Sequence, residues 1–239
     1  MSPPLWLVVP AAGQGRRMGA GRPKQYLELG GATILARTLS RLHQAFPQAR
    51  LVLCLDPDDP WFRPQWVPFA HWQRTDGGRE RMDSVLNALQ VMAAEPDDMV
   101  LVHDVARPCV TTADLQALWQ AVSVHPDGAL LAMPVADTMK RADARSCVAT
   151  TEPREGLWHA LTPQGFRFEL LQQALFQAKT RGLQVTDEAS AVESQGRRPL
   201  LVPGRRDNLK ITHPEDLALA TAILAAQKSS LPLSSETSQ

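Results

Sequence analysis

Five short apolar runs punctuate the chain at wide intervals: Leu5–Val9, Leu51–Leu55, Met99–His103, Ala129–Pro134 and Leu200–Val202. Each is long enough for one strand and does not alternate apolar with polar residues, the pattern of strands buried on both faces. Between them, Ile34–Phe46, Arg81–Met92, Ala113–Val124 and Phe168–Ala178 carry apolar residues at helical spacing. A final helix is expected with Thr212 as its N-cap and Glu215 three residues on, a capping box ahead of Leu217, Ala218 and Ala220. Strands that need cover on both sides, alternating with amphipathic helices, imply an α/β fold. The expected form is a Rossmann-like, mainly parallel sheet with helices on both faces. Ligands of such sheets collect beyond the carboxyl ends of the strands.

Length and charge narrow the rest. The 239 residues suit one domain, expected over 1–227, followed by a flexible Ser-, Thr- and Gln-rich tail over 228–239. Twenty-five basic and 25 acidic residues balance, which argues against a nucleic-acid surface built on bulk charge. Cys54, Cys109 and Cys147 lie far apart without CxxC spacing, so neither a disulfide framework nor a zinc site is expected and a reducing cytoplasm fits. No stretch approaches the ~20 apolar residues of a membrane span. The segment 136–156 breaks the alternation, being polar and basic without helical period, and reads as a lid, binding loop or interaction arm.

The strand ends carry the charged motifs. Directly after the first apolar run comes Pro10-Ala11-Ala12-Gly13-Gln14-Gly15-Arg16-Arg17-Met18, then Pro23-Lys24-Gln25. Backbone N–H groups of a glycine loop, with Arg16, Arg17 and Lys24, suit a polyphosphate. Met18 stands where a dinucleotide fingerprint needs its third glycine, and no Gly-Lys-Ser/Thr follows as in a Walker A loop. Asp76-Gly77-Gly78, followed by Arg81, Asp83 and Ser84, reads as a tight turn into a helix or as a platform for a flat base with Ser84 at its edge. In His103-Asp104-Val105-Ala106-Arg107-Pro108, Asp104 is either a magnesium ligand or the partner of Arg107 in an internal salt bridge, and His103 a packed strand-end residue. Asp137-Thr138-Met139-Lys140 opens the polar excursion and Arg154 lies near its far end. Thr186-Asp187-Glu188 reads as a helix N-terminus whose acids complement the dipole. Asp207-Asn208-Leu209-Lys210 follows the last strand with another acid and another cation.

This inventory holds cations and two candidate metal carboxylates, Asp104 and Asp207, but no Ser/His/Asp or Cys/His arrangement. Transfer at phosphorus needs that balance, because positioning and charge stabilisation do most of the work. A phosphate nucleophile is already ionised at neutral pH and requires no general base.

The ordered set PAAGQGRRM, PKQY, DGGRERMDSV, VHDVARP, PVADTMKR, GLWHALTPQ, TDEASA and DNLKIT, from residue 10 to 212, resembles the 2-C-methyl-D-erythritol 4-phosphate cytidylyltransferases of non-mevalonate isoprenoid synthesis. The resemblance implies a nucleotide-diphosphosugar transferase fold with a protruding β-arm, a homodimer, and transfer of CMP from CTP to methylerythritol phosphate. It implies Arg17, Lys24 and Lys210 as catalytic cations, and Pro10, Ala11, Ala12, Gly13, Gly15, Gly78, Arg81, Ser84 and Ala106 as nucleotide contacts. Asp104 and Asp207 fall at positions associated with Mg2+. Arg107, Thr138, Thr186 and Lys210 match contacts to the second substrate, and Arg154 an arm residue that reaches the partner subunit's site. The arm tip, Asp143 to Val148, matches nothing assignable. A ribitol 5-phosphate cytidylyltransferase and a non-catalytic nucleotide-binding module are the alternatives.

Overall fold

A computed structural model describes residues 4–15, 18–19 and 21–229. Along the chain run β1 (Leu5–Pro10), α1 (Ile34–Ala45), β2 (Arg50–Leu55), β3 (Trp72–Asp76), α2 (Arg81–Val91), β4 (Met99–Val102), α3 (Thr112–Val124) and β5 (Ala129–Pro134). There follow β6 (Met139–Ala142), β7 (Val148–Glu152), β8 (Trp158–Arg167), α4 (Phe168–Thr180), α5 (Glu188–Glu193), β9 (Leu200–Pro203) and α6 (Glu215–Ser229). Seven strands form one sheet in the order β3-β2-β1-β4-β8-β5-β9. All neighbours pair parallel except β8, which runs antiparallel between β4 and β5.

The unbroken apolar runs have a direct cause. In β1, Leu7 and Val9 pack into a core with Leu35, Leu39 and Leu42 of α1 and Leu115 and Leu118 of α3. Trp6 and Val8 enter a second core with Val85 and Leu89 of α2 and Leu171 and Leu175 of α4. Successive side chains point to opposite faces and both faces are covered, so no position is left for alternation.

Three expectations are corrected. Leu200 and Leu201 of β9 are each about 40% exposed, because β9 lies at a sheet edge rather than between two covered faces. The Thr212–Glu215 capping box does not form: α6 begins at Glu215, and the Asp216 carboxylate accepts from the backbone N–H of Thr212 (2.7 Å) and His213 (2.8 Å). Lys228 and Ser229 belong to α6, so the tail boundary at 228 falls inside a helix, and 230–239 lie outside the described residues. Two strands carried no strong signal. The polar β3 pairs only with β2 at the opposite edge. In β8, Pro163 and Gly165 interrupt the run, and the register against β5 shifts across this stretch, as expected where proline enters a sheet.

The polar excursion is a separate two-stranded antiparallel arm of β6 and β7, largely exposed. Its tip is closed by one side chain: Asp143 Oδ1 accepts from the N–H of Arg145 (2.8 Å) and Cys147 (2.9 Å). An aspartate that bonds its own turn explains the local sequence without a ligand.

Gly128, which leads into β5, has φ +78°, and a Cβ there would lie 2.4 Å from the Gly165 carbonyl oxygen and 2.2 Å from Phe166. Gly128→Ala is expected to cost about 2 kcal/mol or more, from left-handed strain plus a clash with backbone. Urea unfolding measures it.

Candidate active site

The ends of β1, β3 and β4 and the loop after β9 surround a cleft of about 650 Å³, within the usual size of ligand sites. Pro10 through Gly15 form one wall. Gln25 is buried and donates from Nε2 to the Ala11 carbonyl (2.7 Å), while the Ala11 N–H reaches the Cys54 carbonyl (2.8 Å). Gly15 sits at φ +62°, with Lys24 so close that a Cβ would lie 3.0 Å from its Cβ. Glycine is therefore needed twice over there. Nothing stands within 4 Å of the Cβ direction at Gly13, so that backbone is open to a ligand. Lys24 lines the cleft and donates from Nζ to the Ile211 carbonyl (2.7 Å), which joins this wall to the 205–212 loop.

The facing wall is the turn into α2. A Cβ at Gly77 would lie 2.1 Å from the Ala12 side chain, and one at Gly78 would lie 2.1 Å from that of Asp83. Ser84 Oγ accepts from the Gly78 N–H (3.0 Å), and Glu80 and Asp83 form a reciprocal capping box. Ser84 thus shapes the turn while bordering the cleft.

The floor is a chain of charges centred on the buried Asp104. Asp104 Oδ1 accepts from Arg81 Nε at 2.9 Å, and its Oδ2 lies 2.7 Å from Lys210 Nζ and 3.7 Å from Arg107 Nε. Arg81 spends its two terminal nitrogens on Glu188, with Nη2 to Oε2 at 3.0 Å. Burial alone would raise the Asp104 carboxyl, but Arg81, Lys210 and Arg107 outweigh it and hold the group well below the carboxylate range. The salt bridge considered for Asp104 and Arg107 is present as the longest of these contacts. Behind it, burial pushes His103 down to about 4, so it is neutral. His103 Nε2 faces the Arg107 carbonyl (3.1 Å), Nδ1 faces Thr162 Oγ1 (3.1 Å), and Thr162 Oγ1 accepts from the Asp104 N–H (3.1 Å). A neutral imidazole with its proton on Nε2 satisfies this whole chain.

The cleft brings together Pro10, Ala11, Ala12, Gly13, Gly15, Lys24, Gly78, Arg81, Ser84, Asp104, Ala106 and Lys210. Arg17, with Arg16, lies outside the described residues. Arg107 sits buried behind Asp104, donating to the Asn208 carbonyl (2.7 Å). Asp207 does not line the cleft: Arg205 Nη2 holds it at 2.9 Å and Gln227 Nε2 at 3.2 Å. Thr186 is exposed beside a smaller cavity behind Arg81. Thr138 and Arg154 lie on the exposed arm, where Arg154 donates to the Ala136 carbonyl.

Several positioning residues were not singled out from sequence. Sequence alone marks Glu188 as an acid at a helix start; in the fold Asp187 caps α5, and Glu188 turns inward and is 1% exposed. Gln25, Thr162 and Asn208 are buried polar residues whose partners lie elsewhere in the chain, and no local spacing marks them.

Among the described residues, no group of three or more His, Cys, Asp or Glu side chains could by itself cage a metal ion. Asp56, Glu80 and Asp104 line the cleft, and both oxygens of Asp104 already meet cations, so a metal ion there would be held mainly by substrate phosphates and water, the usual mode for magnesium.

Asp104→Asn leaves three cations around a neutral amide. The expected loss is about 3–5 kcal/mol at pH 7, as when one partner of a buried pair is removed. Because the folded-state value is depressed, this contribution is complete above the unfolded carboxylate range near pH ~4. It fades as pH falls through the lower folded value, so the gap between wild type and variant narrows in acid. Chemical unfolding across pH 2–7 reads both effects.

Residues 5–226 match the family of 2-C-methyl-D-erythritol 4-phosphate cytidylyltransferase. A protein of that name from Chromohalobacter salexigens is 64% identical over 228 residues, which cover 95% of this chain and 92% of its own length. Its counterpart from Vibrio cholerae is 50% identical over 225 residues, 92% of this chain and 96% of the relative. A crystal structure of 4-diphosphocytidyl-2C-methyl-D-erythritol synthase superposes with a TM-score of 0.81 at 34% identity, covering 94% of this chain and 99% of the other. With agreement in sequence and fold over more than nine-tenths of its residues, the chain belongs to the 2-C-methyl-D-erythritol 4-phosphate cytidylyltransferase family.

Proposed function

We propose that this chain transfers CMP from CTP to 2-C-methyl-D-erythritol 4-phosphate, releasing pyrophosphate, and that the cleft over Asp104 is where it does so. The observation that carries the site assignment is the convergence of Lys24 and Lys210, from opposite ends of the chain, on one glycine-walled cleft.

In this reading the triphosphate lies along Pro10–Gly15, with the cytidine against Gly78, Arg81, Ser84 and Ala106. An ionised oxygen of the substrate phosphate attacks the α-phosphorus. A new P–O bond forms, the α–β bridging P–O bond breaks, and its electron pair leaves with pyrophosphate. The phosphate monoester, with a second pKa near ~6, is largely dianionic at neutral pH and needs no general base. Lys24, Lys210 and Arg17 stabilise the charge that gathers on the transferring group. Asp104 would help hold the catalytic cation, proposed as Mg2+, through the lone pairs that Arg81 and Lys210 leave unused, and the cation would neutralise phosphate charge when bound. Asp207, held by Arg205 and Gln227, would act by fixing the loop that carries Lys210. Arg107 would act likewise through its bond to the Asn208 carbonyl.

Thr138, Arg154 and Thr186 are proposed as contacts to the second substrate, with the arm crossing to a partner subunit in a homodimer. The exposure of the arm favours this arrangement, since most of its side chains lack cover within their own chain. The domain is proposed as a single unit that extends at least through the end of α6 at Ser229. No helix of the described residues is long and apolar enough to cross a membrane, and a cytoplasmic location is proposed.

Product analysis with Mg2+, methylerythritol phosphate and each of the four nucleoside triphosphates tests the activity. The diphosphocytidyl adduct from CTP is expected; preference for ribitol 5-phosphate in parallel reactions would replace the substrate assignment. Lys24→Ala is expected to lower kcat by about 100-fold or more with unchanged circular dichroism, the scale of losing a transition-state charge contact. Mixed dimers of Arg154→Ala and Lys24→Ala subunits should regain activity at one hybrid site; verified mixed dimers without recovery would place the whole site in one chain.

A further inference from the structure

Glu188 does not line the main cleft, and its side chain bonds to Arg81, which does. It is fully buried, and both of its oxygens are taken by the terminal nitrogens of that arginine. A carboxylate removed from water carries a desolvation cost that packing alone does not explain.

The geometry around Arg81 supplies a reason. With both terminal nitrogens on Glu188, only Nε is turned to Asp104, and it takes one oxygen, Oδ1, at 2.9 Å. The second oxygen, Oδ2, is left for Lys210 at 2.7 Å. Arginine favours two parallel bonds to a carboxylate. Released from Glu188, the guanidinium could take both oxygens of Asp104 and compete with Lys210 for its anchor.

The support for Glu188 is built into one strand. In β8, Gln164 Oε1 accepts from the Ala189 N–H (2.8 Å) and its Nε2 donates to Asp187 Oδ2 (2.7 Å), which fixes the start of α5. Two residues earlier, Thr162 accepts from the Asp104 N–H (3.1 Å). The two acids on either side of Arg81 are therefore spaced by neighbouring residues of the same strand.

We propose that Glu188 is a positioning residue for the transfer reaction: it holds the guanidinium of Arg81 so that Asp104 keeps an oxygen for Lys210. This rests on the functional reading above, in which Lys210 acts on the transferring phosphate.

The test is a double-mutant comparison under saturating methylerythritol phosphate and Mg2+, with CTP varied. Glu188→Gln keeps the shape but removes the charge, and is expected to lower kcat about 10- to 100-fold, the usual effect of losing an orienting partner, with a smaller change in KM for CTP. In an Arg81→Gln background the same substitution should cost less than about threefold further, because coupled residues are not additive. Glu188→Asp, with its charge one methylene short, should recover part of kcat. Wild-type kcat in Glu188→Gln would overturn the proposal, and so would losses that multiply in the double variant. If Glu188→Gln does not fold, Arg81→Gln/Glu188→Gln still decides, since removing both buried charges leaves neither unpaired. A double variant far below Arg81→Gln alone would then overturn it. Wild-type enzyme inactive on CTP and methylerythritol phosphate would instead defeat the functional reading.

Discussion

Asp104 is buried and meets Arg81, Lys210 and Arg107, cations that come from α2, from the loop after β9 and from its own loop. Attraction in a poorly solvated site is strong, but so is the cost of removing each ion from water, and such a cluster persists only when its geometry is satisfied throughout. The surrounding structure meets most of that requirement, leaving only Arg107 Nε and Asn208 Oδ1 buried without a hydrogen-bond partner within the cluster. Thr162 fixes the backbone of Asp104, Asn208 accepts from Arg107, and Glu188 balances Arg81. The α2 wall and the loop after β9 are tied to this carboxylate, so their spacing follows from one set of ion pairs.

The same arrangement leaves the top of the cleft cationic. Lys24 reaches the Ile211 carbonyl one residue beyond Lys210, which links the two lysines through the loop they share. An anionic ligand entering between the Pro10–Gly15 wall and this loop meets both. Glycines are required where the walls touch: Gly77 against Ala12, and Gly15 against Lys24.

Much of this was legible in the residues. The five apolar runs became β1, β2, β4, β5 and β9, and the helical segments became α1 to α4, because strands covered on both faces, as all of these but the edge strand β9 are, leave an unambiguous local pattern. The glycine loop, Lys24, Asp104 and Lys210 were legible because each follows a strand end. β8 was not: Pro163 and Gly165 interrupt it, and its place between β4 and β5 depends on pairing that no local period encodes. Glu188 was hidden for a related reason. An acid at a helix start fits dipole chemistry, and only the fold reveals that it turns inward to a residue 107 positions away. The side chains that place the site come largely from these long-range contacts, whereas the groups that face the ligand come from local motifs.

The central claim is that the chain of charges from the buried Glu188 through Arg81 and the buried Asp104 to Lys210 at the surface is the fixed floor on which the nucleotide rests. A crystal structure with CTP and Mg2+ bound tests it most directly. The account predicts the triphosphate along Pro10–Gly15 within reach of Lys24 and Lys210, cytosine beside Gly78 and Ser84, and the Arg81–Glu188 contact retained. A nucleotide bound elsewhere, or Arg81 turned away from Glu188 to meet it, would contradict it.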